Sequence, residues 1–302
     1  MNNRARISFF MIILIMGVFP ARGQASQSSP PGASIDPALM AELSRQPANA
    51  QVRAIAMMSD QVEPRAIPGR DRSERQYNLI QALRSTAASS QAGPLGLLNT
   101  RRATGEVTSI IPLWIQNAVA FAATPAVIAE VASYPGVARV VSDTIILAPA
   151  EPLVNQSSTP EANISLVNAP ALWNLGYRGQ GVVVAVMDTG VSGSHVDLSA
   201  QWRGGTNSWY DPYGLHPTTP TDVNGHGTWV IGIIVGRDAS GTSIGVAPDA
   251  QWIAVKIFND NGVAYASAIH QGYQWLLDPD GNLATADAPD VVNNSWAYGS
   301  PG

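Results

Sequence analysis

Residues 181–187 are seven consecutive apolar or glycine positions, Gly181-Val182-Val183-Val184-Ala185-Val186-Met187. A strand-length run with no polar alternation predicts a strand buried on both faces, as in a parallel α/β sheet. Two further strands follow the same pattern at 252–258 and 290–294. Between them, segments 227–235 and 264–277 carry helical spacing, the latter through Ala264, Ala268, Ile269, Gly272, Trp275 and Leu276. Strand-helix-strand alternation places functional groups at the carboxyl ends of the strands.

The pattern before residue 150 is different. Residues 51–58, 105–114 and 137–147 read as strands, and 125–133 as a helix carrying Val127, Ile128 and Val131. Ser73-Glu74-Arg75-Gln76 fits a capping box opening another helix, with Leu79, Ile80 and Leu83 on one face. This is a small α+β unit with its own core. The turn-rich stretch 149–160 is the expected domain boundary, and 24–50, rich in Ser, Pro, Ala and Gln, the expected loose leader. At the front, Arg4 and Arg6 precede an uncharged run over 7–19, then Pro20-Ala21-Arg22-Gly23. That order describes a secretory signal over 1–23, and the run is shorter than the ~20 apolar residues a membrane span needs.

Charge sharpens the division. The 302 residues hold 13 basic and 9 acidic groups up to position 150, but 4 and 13 after it. The acidic second half is a poor partner for nucleic acid. The absence of cysteine excludes disulfides, zinc-cysteine sites and cysteine nucleophiles.

The first buried strand ends in Asp188-Thr189-Gly190. A turn-forming aspartate is one reading, and an aspartic-protease half-site is another. The second needs a partner carboxylate on an all-β fold, whereas the pattern is α/β and the tripeptide occurs once. Asn224-Gly225-His226-Gly227-Thr228 stands immediately before the apolar stretch 229–235. A histidine in a helix's first turn, at the positive dipole end, stays available as a base, and a nearby buried carboxylate would stabilise it once protonated. His195, His216 and His270 lack this setting, and His270 belongs to a helix face.

These elements, in the order Asp then His and joined by Gly245-Val246-Ala247-Pro248 and Asp290-Val291-Val292-Asn293-Asn294-Ser295-Trp296, resemble the subtilisin-like serine peptidases (subtilases), in particular the bacillopeptidase F type. The resemblance implies an α/β, parallel-sheet subtilisin-like catalytic domain, N-terminal part only, over 161–302, preceded by a small α+β inhibitor-type propeptide domain over 51–148. It implies Asp188 orienting His226, His226 as general base and acid, and Ser295, Trp296 and Ala297 as the strand on which a peptide substrate lies. Ala297 replaces the family's usual glycine, and Trp229 its usual histidine. Asp197 matches a calcium-binding aspartate of many relatives, so structural calcium is the implied cofactor, with no organic one. The implied partners are protein or peptide substrates and the chain's own propeptide, without nucleic acid or a stable membrane anchor, in a secreted protein.

Gly241-Thr242-Ser243 imitates the family's nucleophile motif Gly-Thr-Ser-x-Ala-x-Pro, but its proline comes five places after the serine instead of four. The expected nucleophile and oxyanion asparagine therefore lie after residue 302, and the polypeptide is expected to be inactive by itself. Two other classes compete: a secreted non-catalytic inhibitor or chaperone of a peptidase, and a metal-dependent hydrolase using His195, Asp197 and His226, a set without recognised ligand spacing.

Overall fold

The computed structural model describes residues 34–150, 162–237 and 244–297. The expected signal segment 1–23, the first part of the leader, nearly all of the 149–160 boundary and Gly241-Thr242-Ser243 lie outside the described residues.

The N-terminal layer comprises β1 (Ser34–Ile35), α1 (Pro37–Leu43), β2 (Val52–Met58), α2 (Arg72–Ala103), β3 (Val107–Leu113), β4 (Ala118–Ala123), α3 (Pro125–Ala132) and β5 (Val137–Ser142). Its sheet runs β1-β5-β2-β4-β3, antiparallel except for the β1–β5 pair. Successive strand residues face opposite sides, and here both sides are used. Val52, Ala54, Ala56 and Met58 pack with Val119 and Phe121 against the three helices. Ile55, Ala118 and Ala120 face the other way, where they meet Ala266.

The layer corrects several sequence expectations. The leader is ordered from Ser34, because α1 has its own cap, with Asp36 accepting from Ala38 N at 3.0 Å, and β1 pairs with β5. The capping box of α2 is Asp71 with Glu74, two residues earlier than the Ser73 pattern. Asp71 accepts from Glu74 N at 2.9 Å and Glu74 takes the Arg70 N–H at 2.7 Å. Strand β4, Ala-Val-Ala-Phe-Ala-Ala, went unrecognised because alanine has low strand preference. Pairing on both sides overrides that preference.

After β5 come β6 (Ile145–Leu147), α4 (Ala162–Leu166), α5 (Ala169–Asn174), β7 (Val183–Asp188), β8 (Trp209–Tyr210), α6 (His226–Val235), β9 (Gln251–Lys256), β10 (Val263–Tyr265), α7 (Ala266–Leu277) and β11 (Val291–Asn293). Strands β11-β7-β9-β8 form a wholly parallel sheet. Val230, Ile231 and Val235 of α6 cover one face with Val184, Val186, Trp252 and Ala254. Ile269 and Leu276 of α7 cover the other with Ala185, Met187, Ile253 and Val255. The unbroken apolar runs are explained: the apolar side chains of the two central strands alternate between one helix and the other. At Gly272 a Cβ would come within 2.9 Å of Met187 Cε and 3.1 Å of Val255 Cγ1, so α7 lies close on its sheet.

Helix α7 is held at both ends by residues that precede β6 or lie next to it. Asp143, its side chain almost wholly buried, accepts from Ser267 N (2.8 Å) and Ser267 Oγ (2.7 Å), while Thr144 O accepts from Ala266 N (2.9 Å). Arg53 pairs with Asp143 at 2.9 Å and lies 4.0 Å over the Tyr265 ring. At the other end Gln76 donates to Leu277 O (2.9 Å) and Arg84 to Asp278 (2.7 Å). At the amino end the Asp143 carboxylate complements the helix dipole and satisfies an orphan N–H, and at the carboxyl end Gln76 satisfies the Leu277 carbonyl while Arg84 neutralises Asp278. Asp143→Ala is expected to cost about 2 kcal/mol, the value of a lost cap and its hydroxyl partner. It should speed amide exchange in the first turn of α7 more than in the last; equal protection at both ends would contradict this.

Candidate active site

Strand β7 delivers Asp188 to the carboxyl edge of the sheet, where its side chain is completely buried. His226 is the first residue of α6, and its Nδ1 lies 2.8 Å from Asp188 Oδ1. The same oxygen accepts from Thr189 N at 2.7 Å, and Oδ2 has no hydrogen-bond partner among the described residues. Burial pushes the Asp188 carboxyl above its ordinary range; the His226 bond and the Thr189 amide oppose this, and the nearby Asp222 carboxylate reinforces it.

The chain around the pair is fitted tightly. Gly190 has φ +112°, and a Cβ there would stand 2.0 Å from Thr221 O. A Cβ on Gly227 would stand 2.1 Å from Gly190 O and 3.1 Å from Asp188 Cβ. Only glycine at both positions lets α6 start directly on the turn that follows β7. Thr189 Oγ1 accepts from Gly227 N (2.9 Å), tying the aspartate's turn to the histidine's helix. Asp222 organises the approach to α6, accepting from Asn224 N, Gly225 N, Thr228 N and Thr228 Oγ1 at 2.6–3.1 Å. Sequence reasoning missed Asp222, although an aspartate shortly before a helix is a capping signal.

An imidazole whose Nδ1 faces a buried carboxylate keeps its other nitrogen, Nε2, for proton exchange. The carboxylate fixes the ring's orientation and offsets the charge when the ring is protonated. Trp229, one turn along α6, is about half exposed, with its ring 6.3 Å from that of His226.

The other expected residues are placed as follows. Trp296 anchors beneath the sheet edge, donating from Nε1 to Met187 O at 2.8 Å and meeting Phe258 edge-on. Ser295 and Ala297 beside it are exposed and follow β11 without strand pairing of their own. The strand that does hold an extended segment is β10, which forms a two-stranded sheet of its own with β6, antiparallel through Val263–Leu147, Ala264–Ile146 and Tyr265–Ile145. It was overlooked because three residues between turns carry no periodicity. His270 donates from Nδ1 to Ala266 O (2.6 Å) on α7, and burial depresses its imidazole, in keeping with a place on a helix face.

Asp197 stands 3.9 Å from His195 and joins no group of three metal-ligating side chains among the described residues. One carboxylate is too few for the six to eight oxygens of calcium. His195, Asp197 and His226 likewise form no such group, which removes the metal-hydrolase reading for the described residues. The acidic group that does form is Asp278, Asp280 and Asp287, where Asp278 is paired with Arg84 and Asp287 accepts from Asn207.

A parallel α/β sheet that presents a carboxylate-held imidazole at its carboxyl edge defines a class, the α/β folds with an Asp–His proton-transfer pair. Comparison with known proteins narrows it: residues 179–301 match the model of the Subtilase family. It is 35% identical to Bacillopeptidase F of Bacillus subtilis (strain 168) over 251 residues, covering 75% of this chain and 17% of that protein. It is 35% identical to the Major intracellular serine protease of the same organism over 152 residues (50% of this chain, 44% of that protein). With Subtilisin Savinase of Lederbergia lenta the identity is 46% over 114 residues (37% and 39%). The chain thus spans less than half the length of each of these relatives.

Because the Asp188 carboxyl is raised in the folded state, its ionisation works against the fold above that raised value, and the cost vanishes below the unfolded value near 3.8. Asp188→Asn is therefore expected to melt higher than the wild type at pH 7, with the gap closing as pH falls towards 4. A lower melting temperature at pH 7 would contradict the sign. Asp222→Ala, which strips four accepted hydrogen bonds from the entry to α6, is expected to lose about 2 kcal/mol in denaturant titration.

Proposed function

We propose that the chain is the front portion of an exported subtilisin-type serine endopeptidase precursor, hydrolysing peptide bonds of protein substrates with an Asp-His-Ser triad. Asp188 orients and electrostatically supports His226; His226 takes the nucleophile's proton and returns it to the leaving amine. The nucleophilic serine comes from sequence after residue 302. The observation that carries this reading is the 2.8 Å bond between the buried Asp188 and the imidazole at the head of α6, within the subtilase segment. Among the described residues no serine is hydrogen-bonded to His226.

The N-terminal layer is, in this reading, an intramolecular inhibitor and folding aid. Its support is the β6–β10 pairing, in which Ile146 is buried and Ile145 and Leu147 point outward. An extended segment pairing with a short strand, with alternate side chains inserted, is how a peptide can be bound by main-chain hydrogen bonds. The grip on α7 at both ends supports the folding role. Ser295, Trp296 and Ala297 are read as the facing wall of the same groove.

Export rests on the signal pattern at 1–23. No helix among the described residues is long and apolar enough to cross a membrane. Calcium binding through Asp197 needs further oxygen ligands, such as backbone or side-chain amide carbonyls, beside this one carboxylate.

A second reading, a secreted pseudopeptidase whose N-terminal layer inhibits or chaperones another peptidase, draws on the same clamp on α7. A fluorophosphonate probe separates the two. It should leave the 302-residue chain unlabelled and label stoichiometrically a polypeptide extended by the following coding sequence once its N-terminal layer has been cleaved and removed. His226→Ala in that longer form should lower kcat by on the order of 10⁶. Labelling of the 302-residue chain itself would overturn the assignment of the serine, and failure of the extended form to label would favour the pseudopeptidase.

A further inference from the structure

Lys256 is among the most deeply buried side chains of the molecule, with 1% of its surface exposed. It stands opposite Asp188 in the β7–β9 ladder. A buried ammonium is costly unless each of its protons is satisfied. Nζ donates to Thr189 O at 2.8 Å and forms an ion pair with Asp260 at 3.2 Å. Asp260 in turn lies 3.0 Å from His216 Nε2, and His216 is fixed by its N–H to Asp211 (2.8 Å) and by Trp209 Nε1 donating to its carbonyl (2.6 Å). Hydrogen bonds and ion pairs thus run from the surface loop 211–216 to the residue that follows Asp188.

Thr189 is the member that matters. Its carbonyl is held by Lys256, its amide by Asp188, and its hydroxyl accepts from the Gly227 N–H beside His226. A peptide unit gripped on its carbonyl side, with its side chain bonded to the next element, cannot rotate without disturbing both Asp188 and the first turn of α6. The contact of Gly227 with Gly190 O leaves no slack to absorb such a rotation.

We infer that Lys256, with Asp260 as its counter-ion and His216 as the outer support, is a positioning residue that sets the Asp188–His226 geometry through the Thr189 carbonyl. It does not touch the reacting atoms. The inference rests on the proposed roles of Asp188 and His226, but its test reads the geometry of the pair and not proteolysis. A failed brace and a failed peptidase assignment are therefore distinguishable.

The probe is the low-field proton on His226 Nδ1, followed by NMR in the full 302-residue chain, with its solvent exchange compared against the backbone amide of Ile231 further along α6. In Lys256→Met that proton should exchange roughly tenfold faster while the Ile231 amide keeps its protection. Asp260→Ala should shift it in the same direction by a smaller factor, and Asp260→Glu should restore wild-type exchange. A lysine that only fills space would slow or speed both sites together. Exchange at His226 that stays unchanged, or moves only in step with Ile231, overturns the brace. Should Lys256→Met not fold, the Asp260→Ala measurement alone decides.

Discussion

The covering of β7 and β9 on both faces is the constraint from which the site follows. Helix α6 lies on one side and α7 on the other, and at the carboxyl end of β7 the Asp188 side chain is wholly buried. A carboxylate there is desolvated by the architecture, whatever its function. It becomes tolerable through the few groups that can reach it: the Thr189 amide, the His226 ring and, through Thr189, the buried ammonium of Lys256. One carboxylate oxygen still lacks a partner among the described residues. A fold selected only for stability would place an apolar or amide side chain at this position, and a buried carboxylate held against an imidazole is what marks it as a candidate site.

Helix α7 carries a second dependence. Its inner face completes the parallel sheet, and its two ends are satisfied by the N-terminal layer, with Asp143 at the amino end and Gln76 at the carboxyl end. The small side chains Ala118 and Ala120 of β4 form the surface that meets Ala266. The N-terminal layer therefore supplies groups that the helix would otherwise leave to water. That is a reason for the two layers to be ordered together.

The parallel sheet, its two helices and the Asp188 and His226 pair were legible in the sequence because each rests on a local regularity: an unbroken apolar run, helical spacing, a histidine flanked by glycines at a helix start. What escaped reading depends on contacts between distant segments. Strand β4 is alanine-rich and becomes a strand only because β2 and β3 flank it. Strand β10 is three residues long and is defined by its partner β6. The ordered start at Ser34 needs β5, a hundred residues further on. Lys256 read as one more residue of a buried strand, and its bond to Thr189 could not be seen before the register of β7 against β9 was known.

The tight fit of the site limits how it can vary. At Gly190 and Gly227 the nearest obstacles are backbone carbonyls, which cannot swing aside as a side chain can. A single added methyl would have to move either the turn after β7 or the start of α6, and both carry a member of the pair. Trp229 is different: it stands one turn along α6, half exposed, where a change of side chain meets solvent and a neighbouring ring, with the backbone left alone. Variation in what lies beside His226 is therefore open to this scaffold, while variation in how His226 is held is closed.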